Sequence, residues 1–181
     1  MRSYFKEQKR ISTPDDPPYY LIKDNVTPIL KQDSSEIIKH LKDCGVDCFY
    51  HFTEIDKIDS IIKHGGLLSY KRCLDEGIVL PLREDMALSR DADAKLGLED
   101  YARVSFSKHL PKIDIRKREG ANLVMLRISL DVALFEETLF TDIEATHPQM
   151  RYGKTLDDLK NVNTRIALCD GFLTNEQEFL Q

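Results

Sequence analysis

A chain of 181 residues with 41% apolar and 31% charged residues has the material for one hydrophobic core and the surface of a soluble globular domain. A net charge of -5 argues against broad, sequence-independent binding to nucleic acid, while leaving room for a local basic groove. No apolar run approaches the length of a membrane span, and "MRSYFKEQKR" has no apolar segment behind its charges as a secretory signal would, so the cytoplasm is the expected compartment.

Residues 1–32 are polar and contain "TPDDPP"; they read as a partly extended N-terminal arm ahead of a folded domain over 33–181. Order begins with "DSSEIIKHLKDCG". Asp33 and Glu36 make a capping pair, Ile37, Ile38, Leu41 and Cys44 share one helical face, and Gly45 ends the helix. "VDCFYHF" then reads as a strand. Thr53, with Asp56 three residues on, predicts a second helix with a stripe of Ile55, Ile58 and Ile62, Ile61 alongside, and a stop at Gly65-Gly66. From Tyr70 to Asp100 neither helical nor strand period holds, which predicts a long irregular excursion with some helix. In "YARVSFS", Ala102, Val104 and Phe106 alternate with Arg103, Ser105 and Ser107 as in a half-buried strand. "KIDIRKR", Lys112 to Arg118, reads either as a solvated basic loop or as part of a basic groove. "NLVMLRISL" predicts a central strand covered on both faces. "TLFTDIEA" opens as a short strand, "TLDDLKNV" as a helical turn, and "RIALCDGFL" is compatible with strand or helix.

There is no G-x-G-x-x-G, no P-loop and no regular alternation of strands with helices. The expected class is therefore α+β, with a largely antiparallel twisted sheet. Cys44 and Cys48 are close in sequence, but Cys73 and Cys169 are distant and no second ligand pair accompanies them, so free thiols are expected rather than zinc or disulfides.

One residue stands out. His51 lies between Tyr50 and Phe52 at the end of an apolar strand and just before the expected helix start, where unpaired N–H groups favour an anion or polar ligand. The competing reading is an internally satisfied core histidine, since a lone histidine is weak evidence.

The surrounding residues resemble a known family. "YHFTEIDKIDSIIKHGGLLS" is similar to the opening motif of the DarT DNA ADP-ribosyltransferase toxins, Tyr-His-[Ile/Phe]-Thr-x-Ile-Asp-Asn-Leu-x-x-Ile-Leu-x-x-Gly. "LSRDADAKLGLEDYARVSF" and "LVMLRISLDVALFEETLFTDIEAT" resemble later family segments, and the likeness covers roughly residues 34 to 146. Lys57 replaces the family's Asn, and His109 and Pro111 in "KHLPK" are out of step with its His-Pro-Met or Ser-Pro-Met. The family's catalytic Glu sits in Gln-Ala-Glu-[Val/Phe]-Leu-Val. Here it is either Glu178, in shortened form, or it lies beyond Gln181, the chain then being truncated at its C-terminal side.

The resemblance implies an ADP-ribosyltransferase-like split sheet with flanking helices, NAD+ as substrate and no metal. It implies that His51 bonds the nicotinamide-side ribose, that the Phe52–Thr53 backbone holds the carboxamide, that Gly65 allows close chain approach and that Phe106 walls the nicotinamide pocket. Arg90, with Lys95 as the second choice, would engage phosphate or the acceptor base; the bland alternative pairs Arg90 with Asp91 or Asp93. A carboxylate, Glu178 or one further on, would stabilise the ribosyl cation and accept a proton. The implied acceptor is a base in single-stranded DNA, held by a groove of Arg103, Lys108, Arg116, Lys117 and Arg118, with a protein or RNA acceptor left open by the acidic total. The implied partner is a macrodomain antitoxin, with no membrane. Two rivals remain: a non-catalytic member that binds NAD+ or nucleic acid, and an NAD+ glycohydrolase.

Overall fold

A computed structural model describes residues 29–79, 84–143, 147 and 149–168. The first helix, α1, spans Ser34–Asp43 and buries Ile37 and Leu41 completely, with Ile38 and Cys44 packed beside them. Gly45 follows at φ 79°, the left-handed turn that only glycine adopts without strain. The predicted Asp33 cap is redirected. Asp33 makes no side-chain bond to its own helix; its carboxylate accepts instead from the Leu156 N–H at 3.0 Å, tying the start of α1 to a helix 123 positions on.

Strand β1 (Phe49–Glu54) pairs antiparallel with β2 (Leu123–Ile128), His51 opposite Leu126 and Phe52 opposite Met125. Because this ladder continues to Glu54, the second helix starts later than Thr53 predicts. A short 3₁₀ turn at Ile55–Lys57 leads into α2 (Ile58–Lys63). Its isoleucines are at best half-buried, and Ile55 is 51% exposed. The excursion is more regular than predicted, holding α3 (Tyr70–Asp75) and the thirteen-residue α4 (Glu84–Leu96). "KIDIRKR" lies on a helix, α5 (Pro111–Arg118), not on a loop.

"YARVSFS" forms a single bridge, Ser105 to Tyr50, rather than a full strand. Its alternation is broken: Ala102 and Val104 are exposed while Arg103 and Ser105 are half-buried, and only Phe106 packs inward as read. Polar partners on α4 draw Arg103 inward and override the apolar pattern. The central strand is thus β1, between β2 and Ser105. Among the described residues β2 has one strand neighbour and leaves Met125 45% exposed, so it is not covered on both faces.

Beyond β2, a 3₁₀ segment (Leu130–Leu134) leads to β3 (Phe140–Thr141), which pairs with β4 (Tyr152–Gly153). Helix α6 (Leu156–Lys160) is the helical turn expected of "TLDDLKNV", and it carries a full reciprocal cap between Thr155 and Asp158. Helix α7 (Thr164–Ala167) closes the described chain. The core gathers Ile37, Leu41, Val46, Phe49, Ala133, Phe140 and Leu159 with their neighbours. It therefore sits at the Phe49 end of β1, and the strand runs out from it to Glu54, which pairs with Arg116 of α5. The class is α+β, and among the described residues the strands form small antiparallel ladders.

The described end of the expected arm is anchored. Leu30 bridges Phe135, the Lys31 N–H donates to Leu134 O at 2.8 Å, and the Glu136 N–H donates to Ile29 O at 2.8 Å. Of the four cysteines, Cys44, Cys48 and Cys73 are free thiols, and Cys169 lies outside the described residues. No described helix is long and apolar enough to cross a membrane.

Candidate functional site

His51 is in mid-strand, not at a helix N-terminus, and what surrounds it is a broken ladder. Tyr50 and Ser105 exchange both backbone bonds at 2.8 Å. In an antiparallel pair the next residues to do so would be Phe52 and Arg103. They exchange neither. The Arg103 carbonyl instead accepts from His51 Nδ1 at 2.9 Å. The imidazole has taken the acceptor that the Phe52 N–H would have used, so the sheet splits after Tyr50. The main-chain N–H and C=O of Phe52 are left facing the open edge. Those of Thr53, by the same alternation, face β2.

A carbonyl can only accept, so Nδ1 carries the proton and Nε2 presents a lone pair. Burial pushes the imidazole below its ordinary pKa, with the Arg103 carbonyl opposing, so the ring is held neutral. His51 is thus an acceptor suited to a hydroxyl donor such as a ribose. On the other face of β1, the Tyr50 phenol is pushed up to about 12, first by a hydrogen bond to Cys48 and then by burial; it has no base to offer at neutral pH.

This shift has a consequence for stability. With the folded pKa below the unfolded value of about 6.5, the unfolded chain takes up the proton first as pH falls. The contribution of neutral His51 is complete above that value and is lost on acidification through and below it. Urea unfolding at pH 7.5 and 5.5 is expected to give a smaller acid loss in His51→Asn than in wild type. An equal loss in both would place the titration elsewhere.

Arg103 also reaches the other half of the site. Its Nη1 donates to Ser89 Oγ at 3.0 Å and its guanidinium forms an ion pair with Asp93, both on α4. Helix α3 is fixed alongside. Ser69 accepts from the Arg72 N–H at 3.1 Å and donates to Asp100 at 3.0 Å, while the Lys71 N–H donates to Glu99 O at 3.2 Å. This places Tyr70, first residue of α3, under Arg90 of α4, with the guanidinium carbon 4.2 Å from the ring centroid.

Arg90 is the outlier of the region. Its Nε and Nη2 are buried and have no hydrogen-bond partner. It does not pair with Asp93, which is taken by Arg103. A buried donor left unmade costs about 1–3 kcal/mol, more when charged. A planar cation stacked on a tyrosine with donors to spare suits a phosphate or diphosphate, which accepts from two guanidinium N–H groups together. The sequence suggested Arg90, but nothing local signals Tyr70 as its support or Arg103 as the link to His51.

The other expected residues fall as follows. Gly65 has φ 78° and closes α2, its N–H donating to Ile62 O at 3.0 Å. Phe106 meets Phe49 edge to face, centroids 5.1 Å apart, and packs on the core. Lys95 is exposed. Glu178 lies outside the described residues. The basic groove is not assembled as expected, because Arg103 is engaged with Asp93 and Arg116 with Glu54; Lys117 and Arg118 are exposed on α5. A cavity of about 430 Å³ beside the Glu54 end of β1 is lined by Glu54, Asp56 and Glu119, a charge unsuited to phosphate. Among the described residues no three His, Cys, Asp or Glu side chains come together as metal ligands would.

A family model described as "ssDNA thymidine ADP-ribosyltransferase, DarT" matches residues 50–179. The chain belongs to the DarT family. The DarT match opens at Tyr50, immediately before His51, and takes in Gly65, Arg90, Arg103, Phe106 and Glu178. No curated protein and no solved structure matches the chain. DarT membership makes ADP-ribosyl transfer the chemistry against which the split at His51 and the unpartnered Arg90 are to be read.

Proposed function

We propose that this DarT chain transfers ADP-ribose from NAD+ to a thymidine base in single-stranded DNA. The observation that carries the reading is Arg90, a half-buried cation whose Nε and Nη2 are buried without partners, tied through Arg103 to a neutral histidine and an open strand edge. His51 Nε2 accepts from a hydroxyl of the nicotinamide-side ribose. Phe52 N–H and C=O take the carboxamide, a donor and an acceptor matching a primary amide. Arg90 holds the diphosphate. Gly65 lets the chain turn closely behind β1, and Phe106 backs the pocket from the core side.

In the reaction the bond between the ribose anomeric carbon and the nicotinamide nitrogen breaks, and nicotinamide leaves with the electron pair. The ribose passes through an oxocarbenium-like state, as in glycoside cleavage. A ring nitrogen of the base forms the new bond and its proton passes to a carboxylate, for which Glu178 is the candidate. Holding the nicotinamide riboside and the diphosphate together restricts the substrate to the strained conformer in which that bond breaks. Toxin action in the cytoplasm, reversed by a macrodomain antitoxin, belongs to the same reading.

The test is incubation with NAD+ and single-stranded oligonucleotides that contain or lack thymidine, read by intact mass. One ADP-ribosyl group added only to the thymidine-containing strand supports the proposal. Free ADP-ribose with unmodified oligonucleotide makes the chain a glycohydrolase, and calorimetric NAD+ binding with no product makes it a non-catalytic binder. Absence of both binding and product overturns the reading altogether.

A further inference from the structure

Arg103 belongs to neither half of the site, yet it touches both. Its carbonyl receives the His51 Nδ1 proton, and its guanidinium grips Ser89 and Asp93, which flank Arg90 on α4. Nothing in the backbone supplies this link, since the ladder between β1 and residues 101–107 is one bridge long. We propose that Arg103 is a positioning residue that sets the spacing between the ribose acceptor His51 and the diphosphate cation Arg90. This deepens the NAD+ reading above and rests on it.

The physical argument is one of preorganisation. A dinucleotide gripped at two points is bound tightly only if the points are already at the right separation. β1 and α4 are carried by different parts of the chain, and side chains of α4 could drift relative to the strand. A planar fork holding two residues one turn apart on a helix fixes both the height and the rotation of that turn. Arg90 lies between them in sequence. The same residue's carbonyl holds the imidazole in the tautomer that leaves Nε2 as an acceptor. The geometry therefore makes Arg103 a rigid spacer, not a groove cation.

The test is a double-mutant cycle of Arg103→Met with Arg90→Met, read by calorimetric NAD+ affinity. In the Arg90 background, Arg103→Met is expected to weaken NAD+ binding about tenfold. In the Arg90→Met background the same change is expected to cost less than about twofold, because the residue it positions is gone. Equal losses in both backgrounds, or no loss in either, overturn the proposal. A second readout needs no NAD+. The Arg90 Nε–H resonance is expected to shift in Arg103→Met and in the milder Asp93→Asn, and an unmoved resonance in a folded variant counts against the anchor. If wild type binds no NAD+, the functional reading fails, while this resonance still decides whether Arg103 orders Arg90. Should Arg103→Met not fold, Asp93→Asn serves in both measurements.

Discussion

Arg90→Met is expected to weaken NAD+ binding about a hundredfold while leaving the fold as stable as before, or more so. The two effects have opposite signs because the same donors are involved. In the free protein, Arg90 Nε and Nη2 are buried without a partner. Removing them relieves a cost on the order of 1–3 kcal/mol per group. Methionine keeps a stem of similar length against Tyr70, where sulfur and ring still attract. In the complex, a lost bond to phosphate is charge-assisted and worth about 1.5–3 kcal/mol, a factor of about ten to a hundred and fifty for one such bond. Calorimetry with NAD+ and a thermal melt on the same sample check both halves. A variant that melts well below wild type but binds NAD+ normally would make Arg90 a structural cation and remove the main support for the functional reading.

Lys31→Met is expected to cost about 3 kcal/mol of folding stability, a large share of the 5–15 kcal/mol typical of a domain. Lys31 is only 8% exposed. Its ammonium donates to the carbonyls of Phe135, of Glu136 at 3.0 Å and of Thr138 at 2.8 Å, and lies 5.6 Å from the Phe140 ring centroid. Burial lowers its pKa, with Asp33 opposing, so the charge is held at a cost that the carbonyls offset. Methionine fills the space but strands several buried acceptors, and an acceptor without its donor costs more than the bond was worth. Urea unfolding with an unchanged m-value and a lower midpoint is the expected result. An unfolding free energy within about 0.5 kcal/mol of wild type, the size of an ordinary surface change, would show that the carbonyls find water instead.

Much of the local structure was legible. Ile37, Leu41 and Gly45 announced a helix, its buried face and its stop, because a helix places residues three and four apart on one side. "TLDDLKNV" read as a helical turn and is one, α6, closed by a reciprocal Thr155–Asp158 cap that is complete within four residues. The Tyr50–Ser69 motif pointed to DarT, and the family match begins at the same tyrosine. Where prediction failed, a distant partner outweighed a near one. Asp33 was read as the cap of its own helix and bonds Leu156 instead. Ala102, Val104 and Phe106 were read as the inward face of a strand; Phe106 does pack on the core, but Asp93 and Ser89 draw Arg103 in and leave Ala102 and Val104 exposed. Thr53 was read as a helix start, but the β1–β2 register carries the strand past it.

By itself, the sequence determined the α+β class and the family and drew attention to His51 and Arg90, because periodicity, caps and motif residues act over a few positions. Only the tertiary structure decided that His51 takes the Arg103 carbonyl, that the sheet opens after Tyr50, and that Arg90 lies on Tyr70 with donors unused. The reason is the competition among acceptors. Which carbonyl or carboxylate a side chain receives depends on the groups that folding brings within 3 Å of it, and here the decisive pairs lie tens of residues apart.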